Sequence, residues 1–164
     1  KNAFKMIKKY PVRVNVNGDD YEVLVDPRTT LLQFLRENLD LTGTKEGCDE
    51  GDCRACSVIL NNKVVSSCLI LAVEVDNAVI ETIEGVKKGA ELHPVQQAFV
   101  DSGAVQCGFC TPGMVITTKA MLEEMPNPST QEVKEYLAGN LCRCTGYVKI
   151  LDAVEYAKEN LRNG

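Results

Sequence analysis

Gln106-Cys107-Gly108-Phe109-Cys110-Thr111-Pro112-Gly113 is the stretch on which the reading of this chain turns. It is answered further on by Gly139-Asn140-Leu141-Cys142-Arg143-Cys144-Thr145-Gly146-Tyr147. Together they read C-x2-C…C-x-C, four thiols from two places distant in sequence. A C-x-C step sets two sulfurs on one short bend. They are too close for an unstrained bridge between them but well placed to face one metal centre. Outward toward the N-terminus, Cys48, Cys53, Cys56 and Cys68 read C-x4-C-x2-C…C. That is the plant-type spacing by which four thiolates hold a [2Fe-2S] cluster. Four plus four uses all eight cysteines. The reading is two iron–sulfur clusters and the movement of electrons one at a time.

Length and composition agree with it. A chain of 164 residues suits two small domains of roughly 80 residues each, and domains of that size bury little core. Bound metal supplies the missing fixation. The net charge of −5 and the lack of tryptophan argue against a nucleic-acid partner. No apolar run approaches the roughly 20 residues of a membrane span, so no direct membrane insertion is expected. No signal-peptide pattern opens the sequence, and the expected location is cytoplasmic, where thiols meet metals rather than each other. Two competing readings remain at this level. A disulfide framework suits tight C-x2-C and C-x-C units poorly. Zinc is the stronger competitor for the second cysteine set.

The rest of the chain frames these motifs. Val12, Val14 and Val16 alternate with polar residues, Asn17-Gly18-Asp19-Asp20 signals a turn, and Tyr21, Val23 and Val25 alternate again, which predicts a hairpin. Pro27 ends it. Thr30 and Gln33 form a capping box for a helix over 31–38, with Leu31, Leu32, Leu35 and Leu39 at helical spacing. The glycines around Cys48, Cys53 and Cys56 let the backbone curl close to sulfur with its N–H groups pointing inward. Val58, Leu60, Val64 and Val65 flank Asn61-Asn62 as a second hairpin, Cys68 follows it, and 79–82 is a last strand. Residues 85–89 read as a linker. Beyond them the period turns helical. Pro94 starts one helix, Thr111 caps another with Pro112 at its first position, and Ser129 with Glu132 caps a third. Leu151, Val154, Tyr156 and Ala157 mark the last. The expected class is α+β, with a ferredoxin-like unit over 1–84 and an all-helical unit over 85–164. A basic tail over 1–9 opens the chain.

Five stretches carry a resemblance: Leu41-Thr42-Gly43-Thr44-Lys45-x-Gly47-Cys48, Gly51-x-Cys53-x-Ala55-Cys56, Leu92-His93-Pro94-Val95-Gln96, Gln106 through Met114, and Gly139 through Tyr147. They resemble the small iron–sulfur subunit of molybdenum hydroxylases, of the xanthine dehydrogenase and aldehyde oxidoreductase type, over nearly the whole chain. The resemblance implies an N-terminal β-grasp plant-type ferredoxin domain and a C-terminal four-helix bundle, each with one [2Fe-2S] cluster. It implies ligands Cys48, Cys53, Cys56 and Cys68 for the first cluster and Cys107, Cys110, Cys142 and Cys144 for the second. It also implies a large partner subunit with molybdopterin-bound molybdenum and a medium one with FAD. The second cluster is then nearer molybdenum and the first nearer flavin, with Gln106 and Cys144 close to the partner's pterin. The chain itself would carry no substrate chemistry. A free-standing two-cluster ferredoxin is the alternative.

Four further residues or groups are singled out. The family usually has glycine where this chain has Arg54. An arginine there must keep an unusual backbone path, and its cation favours the more negative, reduced cluster or meets an acidic partner. His93 is the only histidine. Rieske centres need two, so His93 is read as a helix-start residue. Tyr147 is read as packing around the cluster. Lys45, Glu46, Asp49, Glu50 and Asp52 are read as solvated charges where the flavin subunit would dock.

Overall fold

In the computed structural model, residues 8–87 and 89–163 are described. Most of the expected basic tail, residues 1–7, lies outside them.

The first hairpin pairs β1 (Tyr10–Val16) with β2 (Asp19–Val25) in antiparallel register, Val14 opposite Tyr21. Its turn is the two-residue Asn17-Gly18, both at positive φ (57° and 94°), which matches the twist of the flanking strands. The second hairpin joins β3 (Ser57–Leu60) to β4 (Lys63–Ser66) through Asn61-Asn62, also at positive φ. With β5 (Ala78–Glu81) the strands form one sheet in the order β2-β1-β5-β3-β4. Only the central β1–β5 pair is parallel.

The sheet grips α1 (Leu31–Gln33), capped by Thr30 and Gln33 as their spacing predicts. The helix expected over 31–38 then widens into a π-turn, Phe34–Asn38. The Leu39 N–H reaches back five residues to the Phe34 carbonyl at 3.3 Å. Leu31, Phe34 and Leu35 are buried against Val12, Val14, Val16, Val58 and Ile80. Each such side chain contributes about 1.5–3 kcal/mol on leaving water. Leu32 points elsewhere, onto Cys56 and Cys68. The arrangement is the expected β-grasp.

The 85–89 stretch is not a simple linker. Gly85 and Val86 belong to a short helix, α2 (Ile83–Val86), and Val86 is buried in the helical core. The Asn17 side chain bonds Thr82 through both its amide atoms (2.9 and 2.8 Å). It thereby crowds Gly85, where an added Cβ would lie 2.2 Å from Asn17 Oδ1. The glycine serves close packing here.

Four helices follow: α3 (Pro94–Asp101), α4 (Thr111–Glu124), α5 (Thr130–Leu137) and α6 (Val148–Asn163). α3 packs on α4 and α6, and α5 on the same two, so the bundle closes on itself. Three expectations shift. The residue capping α4 is Cys110, not Thr111, and it makes no side-chain capping bond, because its sulfur faces the other cysteines. Beyond Val115, Ile116, Ala120 and Leu122, which the sequence sets along α4, Met114, Thr117, Thr118 and Met121 are buried. Tyr156 faces solvent while Ile150 and Ala153 fill the core. The bundle does not stand apart from the sheet, for Ile59 of β3 belongs to the helical core.

Candidate metal centres

The first nest is built by a curled loop and a strand exit. Asp49, Gly51 and Arg54 take positive φ (57°, 86° and 51°), which bends the loop around its own sulfurs. The Glu50 and Cys53 N–H groups both donate to Cys48 Sγ at 3.4 Å. Gly47 brings backbone against sulfur, since a Cβ there would lie 2.7 Å from Cys53 Sγ. Cys68 arrives on the 3-10 turn Ser67–Leu69 after β4, and its sulfur lies 3.5 Å from Cys56 Sγ.

The second nest joins the turn before α4 to the turn before α6. Cys107 Sγ and Cys144 Sγ lie 3.6 Å apart. Gly108, Gly146 and Tyr147 take positive φ. The Thr145 hydroxyl donates to Cys142 Sγ at 3.1 Å, and the Cys142 N–H donates to the Tyr147 hydroxyl oxygen at 2.9 Å.

These distances test the fit of a two-iron group. Two thiolates on one tetrahedral metal at about 2.3 Å stand about 3.8 Å apart. Cys56–Cys68 and Cys107–Cys144 come close to that spacing. Among the described residues no three His, Cys, Asp or Glu side chains are arranged around one ion. In each nest one sulfur pair stands near the spacing of two thiolates on one iron, the arrangement that a [2Fe-2S] cluster requires.

Proton affinity differs within each nest. The Glu50 N–H, then that of Cys53, draws the Cys48 thiol down to about 7. Burial raises Cys53, and burial with the neighbouring Cys56 pushes Cys68 up to about 12. In the second nest burial pushes Cys110 up to about 12. Burial works upward on Cys142 too, but the Thr145 hydroxyl and N–H outweigh it and hold it at about 7. Cys144 is raised by its bond to Cys107. Each nest thus holds one thiol near neutrality, and its raised thiols would release their protons to solvent as a metal bound.

The remaining site expectations sort as follows. Gln106, Cys107 and Cys144 lie exposed, on the same two loops as Val105, Phe109, Leu141, Arg143 and Tyr147. His93 is the N-cap of α3, its Nδ1 accepting from the Val95 N–H at 3.2 Å. Arg54 holds the unusual path anticipated for it, but its side chain does not simply point away. It lies across Gly139, where a Cβ would sit 2.6 Å from Arg54 Nε. Tyr147 does more than pack, because its hydroxyl takes the N–H of a candidate ligand. The sequence signal for this was a Thr and a Tyr three and five residues after Cys142. Phe109 was not singled out, yet its ring edge lies beside Gly47 of the first nest, 3.5 Å from where a Cβ would stand.

Residues 14–82 match the family model described as a 2Fe-2S iron–sulfur cluster binding domain, and residues 82–155 match that of a [2Fe-2S] binding domain. The chain is 46% identical to the nicotinate dehydrogenase small FeS subunit of Eubacterium barkeri, over 96% of this chain and 100% of that one. Its structure superposes on quinoline 2-oxidoreductase from Pseudomonas putida 86 with a TM-score of 0.91 at 42% identity, covering 96% of this chain and 98% of that one. It superposes on aldehyde oxidoreductase from Desulfovibrio desulfuricans with a TM-score of 0.90 at 44% identity, covering 93% of this chain but 17% of that one. The same unit therefore occurs as a chain of its own and as one part of a longer chain.

Proposed function

The chain belongs to the family of small iron–sulfur subunits of dehydrogenases and oxidoreductases, and from that premise we propose that it is the electron-transfer subunit of a multi-subunit molybdenum hydroxylase. In this reading it relays single electrons between a molybdopterin site on a large partner subunit and a flavin on a medium one, or an external acceptor. The observation that carries the reading is the pairing of sulfurs in two nests, at 3.5 Å for Cys56–Cys68 and 3.6 Å for Cys107–Cys144.

Cys48, Cys53, Cys56 and Cys68 would hold one [2Fe-2S] cluster, and Cys107, Cys110, Cys142 and Cys144 the other. Each bound cluster supplies one-electron redox chemistry. The chain's own residues set the conditions for it. Leu32 shields Cys56 and Cys68 from water. The Glu50 and Cys53 N–H groups and the Thr145 hydroxyl point at sulfur, which stabilises the more negative state and raises the potential. Gln106 and Cys144 sit on the exposed rim of the second nest, where a partner's pterin would approach. The 1–84 and 85–164 division is supported by the end of the sheet at Glu81 and by family matches that meet at residue 82. A cytoplasmic setting is supported by the use of cysteine for metal, which a reducing compartment sustains. None of the described helices is long and apolar enough to cross a membrane.

The test is anaerobic purification of the chain with whatever accompanies it. A stoichiometric complex is expected, in which an oxidisable substrate of the complex brings up two distinct spin signals of reduced clusters. A chain that purifies alone, and takes electrons only from unrelated reductases, would be the free-standing ferredoxin instead.

A further inference from the structure

The two sulfur-bearing loops touch, and the contact is made of hydrogen bonds. The Leu141 N–H, one residue before Cys142, donates to the Cys53 carbonyl at 3.1 Å. The Asn140 side-chain amide donates to the next carbonyl, that of Arg54, at 3.4 Å. Arg54 presents that carbonyl because its φ is +51°, and the Ser57 N–H and hydroxyl anchor the same oxygen from behind at 3.1 and 2.8 Å. Gly113 at the start of α4 closes on it from the bundle side, where a Cβ would lie 2.5 Å from the carbonyl oxygen. The guanidinium of Arg54 folds over Gly139. The Cys53–Arg54 peptide is thus gripped by the segment that leads into Cys142.

Asn140 stands out within this grip. It is 2% exposed, and its Oδ1 is buried with no hydrogen-bond partner among the described residues. An unsatisfied buried amide oxygen is costly, and an apolar residue of the same size would avoid it. The amide therefore has a use that outweighs the cost, and the bond to Arg54 is what it makes. A bonded route between the nests runs through this contact. It goes from Cys53 through its carbonyl, across one hydrogen bond to Leu141, and on to Cys142.

We propose that Asn140 is a positioning residue for electron transfer, clasping the Arg54–Ala55 peptide, next to the Cys53 carbonyl that Leu141 holds, to the Leu141–Cys142 loop and so fixing the gap between the two centres. The inference rests on the two-cluster reading above. The transfer concerned moves one electron from one nest to the other, one centre oxidised as the other is reduced, with no bond made or broken and no proton required. Electronic coupling falls steeply with every ångström of unbonded gap, so a loosened clasp slows it while leaving all eight thiolates in place.

Asn140→Leu keeps the volume and deletes the donor. Full-length wild type and variant, loaded with iron and sulfide without oxygen, are reduced with dithionite and compared by low-temperature EPR. The expected result is both cluster signals at wild-type intensity with an altered magnetic splitting between them, and a several-fold slower redistribution of a photoinjected electron. Unchanged splitting and rate overturn the proposal, as does loss of the Cys142-site signal alone, which would make Asn140 a support for ligation. If Asn140→Leu does not fold, Asn140→Ala deletes the same donor with a smaller side chain; the same outcomes apply. Wild-type chain that takes up no iron would defeat the functional reading instead, so the two failures are told apart.

Discussion

The two nests solve one chemical problem in opposite surroundings. Cys56 and Cys68 lie beneath Leu32 at 2% and 6% exposure, whereas Cys107 and Cys144 face solvent. The first nest satisfies sulfur with backbone N–H groups from a loop bent by left-handed residues. The second uses the side chain of Thr145 on sulfur and that of Tyr147 on a ligand's backbone. The difference follows from their construction. A loop folded back on its own sheet brings amides to the half-buried Cys48 sulfur and buries Cys56 and Cys68 beneath it. Two loops meeting ahead of α4 and α6 leave Cys107 and Cys144 open at the rim. Burial disfavours the extra negative charge of a reduced centre, so donors on sulfur matter most where water is least available. An open rim leaves a centre within reach of a partner.

The sharpest way to break the comparison is to remove one nest at a time. Cys56→Ser and Cys142→Ser should each lower bound iron and sulfide by about half and abolish a different spin signal. Cys56→Ser should also lower Tm more, since it opens the packed Leu32 contact, and melting of both variants checks that ordering. Loss of both signals in either folded variant would mean that the sites are not independent.

Next in size is the seam between the nests. Gly113→Ala puts a methyl against the fixed Arg54 carbonyl and should cost about 1–3 kcal/mol. Gly139→Ala meets only the flexible end of the Arg54 side chain and should cost less, so denaturant titration of the pair tests whether the seam is held by backbone.

A smaller effect belongs to Lys119 of α4, which bridges to Glu81 of β5 at 3.0 Å and to Glu123 at 2.8 Å. Burial alone would lower its pKa, but the bonds to Glu123 and Glu81 outweigh that and raise it. Its contribution is therefore whole below the pKa of an unfolded lysine and is lost as pH rises through the higher folded value. Lys119→Met should cost about 1–2 kcal/mol at neutral pH and flatten the alkaline limb of the stability curve.

Two finer tests remain. Arg54→Gly should lower the midpoint potential of the first nest's centre by removing a cation one residue from Cys53, and an unchanged midpoint in redox titration removes that electrostatic role. At the hairpin exit, the Arg28 side-chain bonds hold the Asp26 carboxyl down to about 2. That contribution is present above the ordinary carboxylate value and is lost as pH falls through about 2. Asp26→Asn should therefore lower Tm slightly at neutral pH, and the difference from wild type should shrink as pH falls toward about 2.

Much of this was legible in the residues because the signals were local. Alternating valines give β1, the Asn17-Gly18 pair gives its turn, and the Thr30/Gln33 and Ser129/Glu132 boxes sit where their spacing puts them. The sulfur spacing brought the right cysteines into two groups. What the sequence hid was long-range. Gly85 looks like a linker glycine until Asn17, sixty-eight positions earlier, is seen to crowd it. The π-turn after Gln33 depends on how Phe34 and Leu35 seat under the sheet. The Asn140–Arg54 bond joins residues 86 apart in sequence, and no local pattern announces it.

The central claim is that eight thiolates hold two two-iron centres, and chemical analysis tests it most directly. Anaerobically prepared chain should contain about four irons and four acid-labile sulfides. Zinc in their place, or metal without labile sulfide, would contradict it.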